Sequence, residues 1–176
     1  LLEGWSVARE AISTYARHVE TGEPLPEPML QSIRANRQFQ GALALIRQIQ
    51  FALTDLALHK QPVDDPIQVA KDIEQQIAVM PAPNYNRFVL SFSHLFNGGY
   101  SAGYYSYLWA ERLARDAFAL FERQGVYDKA LGRRLAESIL SVGGTRPMQV
   151  SWSAFAGRPA RIEPLLEAYG IDQEAA

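Results

Sequence analysis

Apolar residues recur along this chain at the three- and four-residue spacing of an amphipathic helix almost from end to end, and alternating Val/Ile/Thr-rich runs are missing. The pattern predicts an all-α fold, read as one multi-helix domain over residues 1–176. A first helix is expected from about Leu2 to Val19, stopped at Thr21-Gly22-Glu23-Pro24, where glycine can take a left-handed cap and proline forbids continuation. A short second helix follows from about Glu27 to Asn36, then a long third from about Phe39 to His59. The third carries Leu43, Ile46, Ile49, Phe51, Leu53, Leu56 and Leu58, so wide an apolar surface that burial on more than one side is expected. Asp64-Asp65-Pro66 opens a fourth helix, to about Val79, with an acidic cap and proline in the first turn. A fifth is expected from about Arg87 to Phe96, and the sixth and longest from about Tyr100 to Gln124, after Asn97-Gly98-Gly99. Two more cover Lys129 to Val142 and Ile162 to Tyr169.

One segment stands apart chemically. Between Phe92 and Glu111 lie a histidine, a Gly-Gly pair, four tyrosines and a tryptophan. On a continuous helix, at about 100 degrees per residue, Tyr100, Tyr104 and Tyr107 fall within one narrow arc, and Tyr105 and Trp109 lie roughly opposite. One face would then present three phenolic hydroxyls to a cleft while the other packs into the core. The same stripe also reads as half-buried packing with hydroxyls reaching water. Gly98 and Gly99 are explained by a plain helix cap, but an interior Gly103 costs roughly 1 kcal/mol relative to alanine, and a close backbone approach or a hinge would account for it. His94 stands within reach of whatever the tyrosines face, as a functional group or as a structural one. His18 and His59 read as structural.

Composition narrows the possibilities. The 176 residues are 48% apolar and 20% charged, enough for a real core, and the net charge of -2 comes from scattered residues that offer no basic face to nucleic acid. Cysteine is absent, which removes thiolate metal sites and thiol nucleophiles. No run approaches the roughly 20 apolar residues needed to span a bilayer, and Leu1-Leu2-Glu3-Gly4-Trp5 is unlike a signal peptide, so no membrane partner and a cytoplasmic location are expected. No H-E-x-x-H, Gly-x-Ser-x-Gly or phosphate-loop motif occurs. The chain opens on Leu1 rather than methionine, inside a predicted helix, and reads as a piece of something longer.

The run from His94 to Glu111, with Thr21-Gly22-Glu23-Pro24-Leu25-Pro26, Phe51-Ala52-Leu53-Thr54-Asp55, Ile139-Leu140-Ser141-Val142-Gly143-Gly144 and Phe155-Ala156-Gly157-Arg158, resembles the C-terminal quarter of thimet-type M3 metallopeptidases. The resemblance spans essentially the whole chain. It implies the C-terminal helical portion of a zincin-type oligopeptidase, with Zn2+ in the intact enzyme held by H-E-x-x-H and a following glutamate, and no metal ligand in these residues. It further implies short peptides as substrates, and the zinc-binding part of the same polypeptide as a partner. Tyr107, Tyr100 and His94 match residues credited with binding substrate and stabilising the transition state, and Tyr104 matches a further tyrosine of the site. Gly98, Gly99 and Gly103 match a mobile loop that folds over bound peptide. The isolated chain is then expected to be inactive, and apolar surface left exposed would favour dimerisation. The rival reading is a non-catalytic helical module that binds a peptide or a protein.

Overall fold

The computed structural model describes residues 1–171. Among them nine α-helices follow in order: α1 (Arg9–Tyr15), α2 (Glu27–Gln38), α3 (Gly41–Lys60), α4 (Pro66–Ile77), α5 (Phe88–Ser91), α6 (Ser106–Gln124), α7 (Lys129–Leu135), α8 (Met148–Ala156) and α9 (Glu163–Ala168). No strand forms among the described residues, only an isolated bridge between Arg17 and Pro24, so the all-α expectation holds. Two compact units result, one from Leu1–Phe39 together with residues from Glu111 onward, the other Gln40–Ala110.

The first unit is built around Phe118, Phe121, Leu131, Leu135, Trp152 and Phe155, all buried. Trp5 meets Phe118 and Phe121 edge-on with centroids 4.8 Å away, and its indole N–H donates to the Val126 carbonyl at 2.7 Å. A side chain at Gly4 would force the packing to shift, because a Cβ would stand 2.4 Å from the Phe118 ring. Asp116, with no exposed surface, receives two bonds from the Arg158 guanidinium, at 2.7 and 2.5 Å, and one from the Arg161 backbone N–H at 2.7 Å. Burial alone would push this carboxyl up, but the hydrogen bonds and the positive charge of Arg158 outweigh it and hold the pKa below the usual range.

Several expectations fail in this unit for local reasons. The continuous helix over Leu2 to Val19 is instead a 3-10 turn (Leu2–Gly4) and the short α1, which ends where Ala16 turns extended and Arg17 pairs with Pro24. His18 Nδ1 accepts the N–H groups of Glu20 and Thr21, closing that turn, so His18 is structural as expected. α8, between Pro147 and a left-handed Gly157 (φ 70), lies in a stretch where no helix was expected. The helix predicted over Lys129 to Val142 begins as α7, widens to a π-helix over Ala136–Leu140, and stops before Gly143 (φ 51).

In the second unit, α4 is capped as the sequence predicts: the Asp65 carboxylate accepts from Ile67 and Gln68 N–H at 2.9 and 3.1 Å. α3 reverses its expectation. Its buried positions include the polar Gln50, Thr54 and Asp55, whereas Ile49, Leu53 and Leu56 are more than a third exposed. The stretch through α2 and α3 is long and apolar enough to cross a bilayer by length and composition alone, where the sequence reading expected none. It nevertheless carries Arg47 and the buried, hydrogen-bonded Asp55, which mark α3 as a helix that packs in protein. The fifth predicted helix is only α5 plus a 3-10 turn (Ser93–Leu95), and α6 starts at Ser106, six residues after Tyr100.

Candidate functional site

Tyr100 and Tyr104 do not lie on α6. They belong to a turn between Gly98-Gly99, both left-handed (φ 73 and 76), and the first residue of the helix, and Ala102 within it is left-handed as well (φ 55). Gly103 sits in this turn rather than in a helix, its N–H donating to Tyr100 O at 2.8 Å, and an added Cβ would meet that same carbonyl at 3.3 Å. The close approach proposed for Gly103 is therefore to its own turn.

The three tyrosines converge all the same. Tyr100 and Tyr107 stack at 5.3 Å, Tyr104 meets Tyr107 at 5.1 Å, and the His94 ring lies 5.4, 5.6 and 5.9 Å from Tyr100, Tyr104 and Tyr107. Phe92 and Phe51 close the nest against Tyr104 at 5.0 and 5.8 Å. Its members divide by environment. Tyr104 is turned inward, its hydroxyl donating to Gln48 Oε1 at 2.9 Å, and burial raises its pKa. Tyr100 and Tyr107 are 37% and 41% exposed and open to solvent. A hydrogen bond with Tyr100, then desolvation and the neighbouring phenols, push the Tyr107 pKa up to about 12, so this phenol keeps its proton. Tyr105 and Trp109 are 49% and 60% exposed, which corrects the expectation that they fill the core.

The residue that organises the segment is Asp55, which in the sequence stands at the end of Phe51-Ala52-Leu53-Thr54-Asp55. Asp55, on α3 and wholly buried, accepts the N–H of Ala102 at Oδ1 (3.0 Å) and that of Tyr104 at Oδ2 (2.9 Å). His59, one turn further on, brings Nδ1 to 3.0 Å of Asp55 Oδ1. An aspartate amid apolar helical positions was the available signal. Next to the nest, a cavity of about 100 Å3 is lined by residues including Arg47, Lys71, Glu74 and Phe88, and shares Phe51 and Phe92 with it. Arg47 lies over the Phe51 and Phe88 rings at 4.5 and 5.1 Å. Among the described residues no group of three or more His, Cys, Asp or Glu side chains is placed to hold a metal. These residues do not fit a zinc site.

Peptidase family M3 matches residues 1–171. The chain is 41% identical over 176 residues to oligopeptidase A of Salmonella typhimurium, covering 97% of this chain and 26% of that protein. It is 39% identical over 178 residues to an organellar oligopeptidase A of Arabidopsis thaliana (97% and 22%), and 32% identical over 178 residues to a dipeptidyl carboxypeptidase of Salmonella typhimurium (97% and 26%). The chain thus spans about a quarter of the length of these curated relatives.

Proposed function

Since the chain belongs to peptidase family M3, we propose that it is the substrate-binding and transition-state-stabilising part of a zinc metalloendopeptidase that hydrolyses short oligopeptides. The observation that carries the reading is the convergence of Tyr107, Tyr100 and His94, with two phenols facing outward and one of them held protonated. When a peptide carbonyl becomes tetrahedral, negative charge builds on its oxygen, and a fixed donor that keeps its proton stabilises that charge more than the neutral ground state. Tyr107 fills that role, Tyr100 orients it and contacts the substrate, and His94 is the third group at the reacting peptide. Tyr104, occupied by Gln48, shapes the floor on which substrate rests. Gly98 and Gly99 hinge the loop that covers it, and Gly103 keeps the turn tight. Zinc and its ligands belong to residues outside those described, and exposed Leu90, Phe96 and Trp109 offer apolar surface to the rest of the protein or to a second copy.

The test uses the gene-encoded full-length protein, its zinc content and its hydrolysis of a quenched-fluorescent peptide. Tyr107→Phe is expected to lower kcat by about 10² to 10³, with KM changing less. An unaltered kcat would remove Tyr107 from the chemistry, and absence of both zinc and hydrolysis would favour a helical binding module.

A further inference from the structure

We infer that Asp55 is a positioning residue, a clamp on the far side of the nest that sets where Tyr104 and Tyr107 stand. Its two carboxylate oxygens take the N–H groups on either side of Gly103, those of Ala102 (3.0 Å) and Tyr104 (2.9 Å). The bend between them is costly, because Ala102 is held at φ 55, a conformation disfavoured by roughly 1–2 kcal/mol for a residue with a Cβ. Charge-assisted bonds to a fully buried carboxylate are the compensation the structure supplies. The clamp also governs the start of α6: Ser106 N–H donates to Gly103 O at 3.0 Å and Tyr107 N–H to Tyr104 O at 3.2 Å, so the clamped residues provide the first acceptors of the helix that carries Tyr107. Asp55 thereby does from α3 what a capping residue does from within its own helix, placing a negative charge and two acceptors at the N–H groups that lead into it. His59 Nδ1 stands 2.8 Å from the Asp55 backbone carbonyl and 3.0 Å from Oδ1, and its ring packs against Phe96 at 5.4 Å, so the carboxylate has a further polar neighbour on its own helix.

Asparagine is the informative replacement. It keeps the shape and one acceptor, but its amide points a donor at a donor, so one of the two bonds is lost and the other strained. As to catalysis, the inference rests on the function proposed above; as to the conformation of residues 100–107, it does not. In the full-length protein, Asp55→Asn is expected to lower kcat by about 10² with a smaller change in KM, as misplacement of a donor by about 1 Å does. In the Tyr107→Phe background the same substitution is expected to cost at most a few-fold more, because Asp55 acts through Tyr107. Equal, additive losses in the two backgrounds would overturn the inference and reduce Asp55 to a general stabiliser. Amide hydrogen exchange supplies a readout free of activity: in the wild type Ala102 and Tyr104 are expected to exchange more slowly than Ser101, and in Asp55→Asn that protection is lost. Wild-type exchange of Ala102 and Tyr104 as fast as that of Ser101 would overturn the clamp even if the variant does not fold. Lost protection in Asp55→Asn combined with an unaltered kcat in Tyr107→Phe would leave the clamp standing and defeat the proposed catalytic role instead.

Discussion

The rings of Tyr100 and Tyr107 lie nearly parallel, 17° apart with centroids at 5.3 Å, although one residue precedes α6 and the other is in its first turn. Their hydrogen bond is the leading cause that lifts the Tyr107 pKa from 10.0 to about 12. The sign follows from the direction. A raised folded-state pKa means the fold favours the neutral phenol, so this contribution is complete below pH 10 and is lost as pH rises through about 12. Tyr100→Phe is expected to bring the Tyr107 ionisation back toward 10, followed as phenolate absorbance in difference against Tyr107→Phe. An ionisation that stays near 12 would mean that burial and not Tyr100 holds the proton.

Gly98 and Gly99 separate two effects that glycine substitutions usually mix. Both are left-handed, so alanine costs each roughly 1–2 kcal/mol of backbone energy. A Cβ at Gly98 would also press on the Tyr100 ring at 3.2 and 3.3 Å, whereas one at Gly99 meets nothing within 4 Å. Similar losses of stability on denaturant unfolding are expected for the two alanine variants, with a further several-fold loss of kcat for Gly98→Ala alone. Equal kcat in both would show that Tyr100 tolerates displacement.

The Asp116–Arg158 pair governs the acid stability of its unit. Removing the guanidinium with Arg158→Ala leaves a buried carboxylate with only the Arg161 N–H, and a loss of about 3–5 kcal/mol is expected. Because the Asp116 pKa is depressed, the pair's contribution is present above the ordinary carboxyl value of 3.8 and fades as pH falls through the lower folded value. Unfolding free energies of wild type and variant, measured from neutral to acid pH, should therefore converge below that value. A gap that persists unchanged into strong acid would argue against the pair as its source.

Helices were legible in this sequence where their signals are local. Asp65-Pro66 announces α4 because a cap needs only its own next two N–H groups, and Gly143 ends the helix before it by the same kind of rule. The candidate site was legible in its members but not in its geometry. The reading put Tyr100, Tyr104 and Tyr107 together by winding one helix through them, yet what unites them is a turn held from α3 by Asp55, about fifty positions away in the chain, and no periodicity records such a partner. α3 misled for a related reason: its polar side chains are the buried ones because they serve that turn and the neighbouring cavity, so the hydrophobic pattern pointed away from the face that packs. The turn at Thr21-Gly22-Glu23-Pro24 was legible, with Gly22 left-handed (φ 70) as expected, but the helix before it ends sooner, at Tyr15, because Arg17 pairs with Pro24.

Gly4 has a consequence for how this chain can change over generations. Since even one methyl group at position 4 would overlap Phe118, no single substitution at Gly4 is neutral while the phenylalanine remains. A smaller side chain at position 118 would open a void that a larger residue at position 4 could fill. The two sites are thus coupled: a larger residue at position 4 and the ring at position 118 compete for the same space, and a change at one alters what the other tolerates.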